Sequence, residues 1–213
     1  MKISEIFYSI QGEGVEMGLP TVFVRLFACD LRCYWCDSMY AVQGRDFKEQ
    51  SIEDVQSMIE KFKCKRVCIT GGEPLLHGRE LEELANELVG AGYRILLETS
   101  GHKTPPPIFW TDNCIISMDC KCPSSKMEDR MDFKLYEKLR KRDQLKFVIN
   151  DEADYKYAKS ILKGYKIEAS IIFQPVHGTN LKWLTEMVIE DKLEDIRILP
   201  QLHKIIWGDR RGV

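Results

Sequence analysis

Cys29-Asp30-Leu31-Arg32-Cys33-Tyr34-Trp35-Cys36 follows the apolar, β-branched run Thr21–Phe27, which reads as a strand. Thiolates are soft ligands that suit iron–sulfur clusters or zinc. A [4Fe–4S] cube has four irons, each normally taking one cysteine. Three local cysteines therefore leave one iron open to bind a small molecule and act on it. A fully ligated cluster mainly passes electrons. A structural zinc site is the alternative and needs a fourth ligand; Cys64, Cys68, Cys114, Cys120 and Cys122 are the candidates. A disulfide framework fits poorly. Such chains are short and secreted, and Met1-Lys2-Ile3-Ser4-Glu5 carries no apolar export signal.

The whole sequence narrows the class. With 213 residues, 44% hydrophobic and 30% charged, it has the composition of a soluble globular protein. A chain of this length can bury about 70% of its unfolded surface. No Pro/Gly/Ser linker or low-complexity tract divides it, so residues 1–213 are expected to form a single domain. A net charge of −2 argues against a broad nucleic-acid footprint. No apolar stretch reaches membrane-spanning length. Eight cysteines without a signal peptide imply a reducing, cytoplasmic setting.

Strand and helix signals alternate. Arg66–Thr70, Arg94–Glu98, Ile115–Asp119, Leu145–Ile149, Ser170–Phe173 and Asp195–Leu199 read as further strands. Ser51–Phe62 is an amphipathic helix, with Ser51 and Asp54 placed for a capping box. Helical patterns also run through Leu81–Leu88, Phe133–Arg140, Ala153–Leu162 and Leu181–Ile189. Repeated β-α units predict a parallel sheet with helical cover. The chain is shorter than an eight-unit barrel of about 250 residues, so an α/β, incomplete, open (β/α) barrel is expected, with about six parallel strands.

Chemistry in such folds collects at the C-terminal ends of the strands. There, after Arg66–Thr70, stands Thr70-Gly71-Gly72-Glu73-Pro74. Paired glycines let backbone approach a ligand closely, and Glu73 is placed to accept a hydrogen bond from a ligand amine. The order Cys-x3-Cys-x2-Cys, helix, strand, Gly-Gly-Glu-Pro resembles the radical S-adenosylmethionine (SAM) superfamily. That resemblance implies that the amine and carboxylate of SAM chelate the open iron and that Gly-Gly-Glu-Pro binds the SAM amine.

A narrower likeness spans the chain. Ile10-Gln11-Gly12-Glu13-Gly14 precedes the cysteines and Arg25 interrupts the strand. Asp37-Ser38 follows Cys36. Later come Asp119-Cys120-Lys121, Phe173-Gln174-Pro175 and Gln201-Leu202-His203-Lys204. This set resembles the 7-carboxy-7-deazaguanine synthase family. The resemblance implies a magnesium-dependent carbon–nitrogen lyase that converts 6-carboxy-5,6,7,8-tetrahydropterin into 7-carboxy-7-deazaguanine, releases ammonia and regenerates SAM. The product would feed queuosine or archaeosine. A reduced cluster would cleave SAM, and the 5′-deoxyadenosyl radical would take hydrogen from C6 of the pterin.

The same resemblance implies roles residue by residue. Cys29, Cys33 and Cys36 would hold the cluster and Ser38 the magnesium. Ile10, Gln11 and Gly12 would frame the pterin through backbone and amide contacts, Arg25 would pair with its carboxylate, and Thr70 would reach it. Trp35, Cys36, Asp37, Gly72, Glu73, Asp119, Cys120, Lys121 and Gln174 would contact SAM. Aspartate and cysteine at 119–120 depart from the family's Ser-Pro-Lys, and no side chain is assigned as acid or base. His177 reads as a surface-loop histidine.

The resemblance further implies a small-molecule substrate, an electron donor such as a flavodoxin or ferredoxin, a homodimer, and neither nucleic-acid nor membrane partners. A glycyl-radical activase of the same superfamily is the enzyme alternative and would need a protein-docking face. A zinc or electron-transfer module is the non-enzymatic one. Cys114 with Cys120 and Cys122 raises a second-cluster reading, but free cysteine is more simply a small buried hydrophobe. The charged run Lys138–Lys146 is most simply a solvated face.

Overall fold

The strand ahead of the cysteine triad is Pro20–Leu26 (β2), paired antiparallel with Lys2–Ile10 (β1) and parallel with Arg66–Gly71 (β4). The computed structural model describes residues 1–176 and 181–213; His177 lies outside them. A two-residue strand, Lys48–Glu49 (β3), edges β1. Beyond β4 follow Arg94–Thr99 (β5), Cys114–Cys120 (β6), Gln144–Ile149 (β7), Ser170–Pro175 (β8) and Ile196–Ile198 (β9), each parallel to its neighbour. The order β3-β1-β2-β4-β5-β6-β7-β8-β9 makes one nine-stranded sheet that does not close. β2 and β4 to β9 form the parallel part, and each of these strands falls on a segment that the sequence reads as one.

Helices Ile52–Glu60 (α1), Gly78–Gly90 (α2), Glu152–Gly164 (α3) and Leu181–Glu190 (α4) supply the cover, and Leu202–Trp207 (α5) ends the fold. The α1 capping box forms as the sequence predicts: Asp54 N donates to Ser51 Oγ (3.2 Å), and Ser51 N to Asp54 Oδ2 (3.4 Å). One helix does not form. Phe133–Lys138 is a 3-10 turn, capped where Lys134 N donates to Asp132 Oδ1. Its apolar residues Leu135 and Tyr136 still reach the core. Among the described residues, no helix is long and apolar enough to cross a membrane.

Strand alternation sorts the side chains into two faces. Val22, Val24 and Leu26 of β2, Val67 and Ile69 of β4, and Ile95 and Leu97 of β5 join the main core under the helices. Each fully buried aliphatic chain there contributes about 1.5–3 kcal/mol. The intervening Phe23, Cys68 and Leu96 form a small second cluster with Phe7 and Ile115. This apolar plug fills the bottom of the open barrel, so the inner face is available for chemistry only above it.

Candidate active site

Two residues further along the same strands, the inner face turns polar. Arg25 pairs in register with Thr70, and Thr70 Oγ1 donates to Glu98 Oε2 at 2.8 Å. Ser117, Asp119, Gln144 and Lys146 continue this face across β6 and β7, and Val148 pairs with Gln174 on β8. These strand ends, the cysteine loop and residues 208–213 surround a cavity of about 250 Å³. Every site residue expected from the sequence lines it except Glu73 and Cys120.

Arg25 Nε donates to Glu5 Oε1 at 2.7 Å, and Tyr40 donates its hydroxyl to the same oxygen at 2.7 Å. Burial works against the guanidinium charge, but Tyr40 and Glu5 more than offset it, and the pKa lies above the ordinary arginine value. Its terminal nitrogens make no hydrogen bond among the described residues. That edge suits a two-oxygen anion. Gln11 is less available than expected. Its amide donates to Glu98 Oε1 (3.3 Å) and Cys68 Sγ (3.6 Å), and its oxygen accepts from Glu13 N (3.1 Å). It therefore shapes the wall, and its amide is not free to read a ligand. Gly12 O accepts from Leu202 N at 2.9 Å, which brings α5 to the cavity rim.

A buried chain of alternating charges crosses the floor. Glu13 accepts from Lys146, Lys146 Nζ lies 3.3 Å from Asp119 Oδ1, and Lys121 Nζ donates to Asp119 Oδ2 at 2.5 Å. Burial alone would raise the Glu13 pKa, yet Lys146 holds it down to about 2. Burial likewise opposes the Lys146 charge, but Asp119 and Glu13 keep its pKa well above the ordinary lysine value. Lys146 is thus no solvated residue: β7 is buried along its whole length, and its inner face needs internal partners.

Cys29, Cys33 and Cys36 are free and partly exposed, and all three line the cavity. Burial pushes the Cys29 thiol up to about 11, and Cys33 upward as well. Trp35 Nε1 donates to Ser124 Oγ at 3.0 Å, and Lys121 Nζ sits 5.5 Å from the Trp35 ring centroid. Asp37 accepts from Gln201 Nε2 (3.3 Å), and Ser38 Oγ lies 3.8 Å from Cys36 Sγ. Among the described residues, no group of three or more His, Cys, Asp or Glu side chains is gathered to hold a metal ion.

Two further expectations are corrected. The Glu73 carboxylate is fully buried and accepts from Leu75 N (3.0 Å), Thr99 Oγ1 (2.9 Å), Ser100 N (2.8 Å) and Ser100 Oγ. It is saturated by the protein, so its side chain is not available to a ligand amine. Cys120 falls on the opposite face of β6 from Asp119 and packs in the core with Cys114 and Cys122. Burial pushes its thiol to about 12. Period-two alternation excludes it from the cavity. The glycine pair also has a steric reason within the protein. A Cβ on Gly71 (φ 133°) would lie 2.0 Å from Leu26 O, and one on Gly72 would lie 2.1 Å from Ala28 O. Only glycine lets the end of β4 press against the start of the cysteine loop.

Sequence reading gave no role to Glu5, Tyr40, Glu98, Lys146 or residues 208–213. The pattern β2 Arg25, β4 Thr70, β5 Glu98 was a usable signal, since a polar residue at the same level of three strands marks the inner face.

The radical SAM superfamily model matches residues 24–108. A 7-carboxy-7-deazaguanine synthase of Thermoplasma acidophilum is 38% identical, covering 100% of both chains. The chain belongs to the 7-carboxy-7-deazaguanine synthase family. A family member from Koribacter versatilis is 36% identical, again over 100% of both chains. The crystal structure of QueE from Escherichia coli shares the fold, with a TM-score of 0.77 and 23% identity over 95% of this chain and 94% of that one. As a member of this family the protein is a radical SAM enzyme with a [4Fe–4S] cluster and SAM as cofactors, and the activase reading is not favoured.

The residues present fit these groups. The donor set is three thiols on one loop facing one cavity. Gln174 Oε1 is buried on the cavity wall with no hydrogen-bond partner among the described residues, an acceptor waiting for a ligand donor.

Proposed function

We propose that the chain converts 6-carboxy-5,6,7,8-tetrahydropterin into 7-carboxy-7-deazaguanine and ammonia, as a lyase of 7-deazapurine biosynthesis. Substrate and products balance without net oxidation, which accords with SAM being regenerated. The observation that carries the reading is the shared cavity: the cysteine triad and a half-buried arginine with a free guanidinium edge line the same space. When bound, the reduced cluster and SAM supply a radical able to take hydrogen from a strong C–H bond.

The protein's part is placement. Cys29, Cys33 and Cys36 hold the cluster. Trp35, Asp37, Asp119, Lys121, Gln174 and the backbone of Gly72 and Glu73 surround SAM. Arg25 binds the pterin carboxylate through its unused edge, and Glu5 and Tyr40 hold that edge still. Thr70, Ile10 and Gly12 frame the ring, with Gln11 setting the wall behind them. Ser38 offers a hard oxygen to magnesium, which prefers oxygen and few protein ligands. Such placement selects which hydrogen meets the radical. Residues 208–213 cover the cavity mouth: Arg211 Nη1 donates to Asp46 Oδ2 at 2.8 Å, and its guanidinium lies 3.6 Å from the Tyr40 ring centroid. That cover shields reactive species from water. The chain acts as one domain, draws electrons from a flavodoxin- or ferredoxin-type donor, works as a homodimer in the cytoplasm, and has no nucleic-acid partner.

Anaerobically reconstituted protein, given the pterin, SAM, magnesium and a reductant, should yield 7-carboxy-7-deazaguanine by mass spectrometry with several turnovers per SAM. Absence of that product, with SAM cleaved normally, would overturn the substrate. Zinc without sulfide would overturn the cofactor assignment.

A further inference from the structure

Asp30 stands beside Cys29 in the cluster loop, yet its carboxylate is held from another strand end. His102 Nε2 donates to Asp30 Oδ1 at 2.8 Å. The other ring nitrogen, Nδ1, lies 2.7 Å from Ser100 Oγ, and Ser100 Oγ bonds the buried Glu73 carboxylate. His102 is 3% exposed at its side chain and Glu73 is wholly buried, so the chain runs inward from a solvent-facing end at Asp30. Glu73 N in turn donates to Ala28 O at 2.8 Å. The connection therefore leaves the cluster loop at Asp30, passes through the end of β5, and returns at Ala28 through Gly-Gly-Glu-Pro.

That circuit encloses Cys29. Ala28 adopts φ 89°, a conformation a non-glycine residue holds only when its surroundings enforce it. Ala28 N donates to Ala41 O, and Leu31 N donates to Cys29 Sγ at 3.4 Å. Lys103 Nζ and Arg130 Nη2 also approach Asp30 Oδ2, at 3.2 and 3.9 Å, from outside the circuit.

We propose that Glu73, Ser100, His102 and Asp30 form a brace that fixes the Cys29 end of the cluster loop against Gly-Gly-Glu-Pro, the segment facing SAM. The four are positioning residues. They set the distance and angle between the cluster and the SAM amine site, and they hold the loop before the cluster is inserted. The proposal rests on the cofactor assignment above for its consequence, but the brace itself belongs to the protein alone.

Two measurements test it. In cluster-free protein, His102→Ala should speed amide exchange of residues 29–33 about tenfold while β4 and β5 stay protected. In reconstituted protein the same variant should lose iron to a chelator about tenfold faster, the lower end of outer-sphere effects on metal affinity. Its reduced cluster should show altered EPR g-values on adding SAM. His102→Gln carries a donor and an acceptor on one amide and should restore both readouts in part. Asp30→Ala should match His102→Ala, and the double variant should be no worse than either single one. Unchanged exchange, chelation and EPR in a folded His102→Ala protein would overturn the brace. Should His102→Ala not fold, Ser100→Ala decides by the same three readouts. If wild-type protein takes up no iron and sulfide, the cofactor assignment fails while amide exchange still tests the brace.

Discussion

Lys121 Nζ donates to Asp119 Oδ2 at 2.5 Å, two positions along the same segment. Asp119 faces Lys146 as well, so it and Glu13 are the two carboxylates that balance two buried ammonium groups. Asp119→Ser would leave Lys121 without its carboxylate and Lys146 with Glu13 alone. Removing one partner of a buried pair costs about 3–5 kcal/mol. We expect urea unfolding at neutral pH to show a loss of that size; a change below about 1 kcal/mol would mean the charges are screened by solvent.

The Glu13–Lys146 pair sets an acid limit. The folded-state pKa of Glu13 is about 2, against an ordinary 4.5. A depressed carboxylate contributes stability that is complete above 4.5 and is lost as pH falls toward 2. Lys146→Met leaves Glu13 buried without its cation, which reverses the sign. The variant should be less stable than wild type at pH 7 and gain stability as pH drops through the carboxylate range. Parallel slopes for the two proteins in acid titrations followed by circular dichroism would disprove the coupling.

Arg25→Ala removes the cation that we propose binds the substrate carboxylate. The expected loss is about 2–5 kcal/mol in pterin binding, read by calorimetry on SAM-loaded protein. Glu5→Gln keeps Arg25 but loosens it, and should weaken binding less. Wild-type affinity in Arg25→Ala would remove the residue from the substrate site.

Alanine at Cys29, Cys33 or Cys36 should abolish SAM cleavage and reduce iron from about four per chain. Cys114→Ala, Cys120→Ala and Cys122→Ala should keep their iron and lose only core packing. Iron loss in any of the latter three would reopen the ligand assignment.

Ser38→Ala should raise the magnesium concentration needed for half-maximal turnover, and Ser38→Thr, which keeps the oxygen, should be nearly silent. Magnesium and pterin should tighten each other's binding by one common factor. An unchanged magnesium titration in Ser38→Ala would move the ion elsewhere, with Asp37 next to be tested.

Much of this protein is legible in the linear chain because its signals are local. The Cys29–Cys36 spacing, the Ser51–Asp54 capping box and the strand runs from Thr21 to Leu199 depend on neighbours within a few residues. The Phe133–Arg140 segment misled because its apolar spacing satisfies a 3-10 turn as well as a helix. Lys146 misled for a different reason: a charged residue in a charged run looks solvated until Glu13 and Asp119 arrive from distant segments.

The cofactor loop, the β-α alternation and the family can be read from the linear chain, since each is carried by residue identity at short spacing. Which side of each strand faces the cavity emerges with folding. Register turned Asp119 inward and Cys120 outward, saturated Glu73 with Thr99 and Ser100, and left the Gln174 acceptor without a partner among the described residues. Those outcomes depend on contacts between residues tens of positions apart, where parallel strands set side by side create partners that no local pattern encodes.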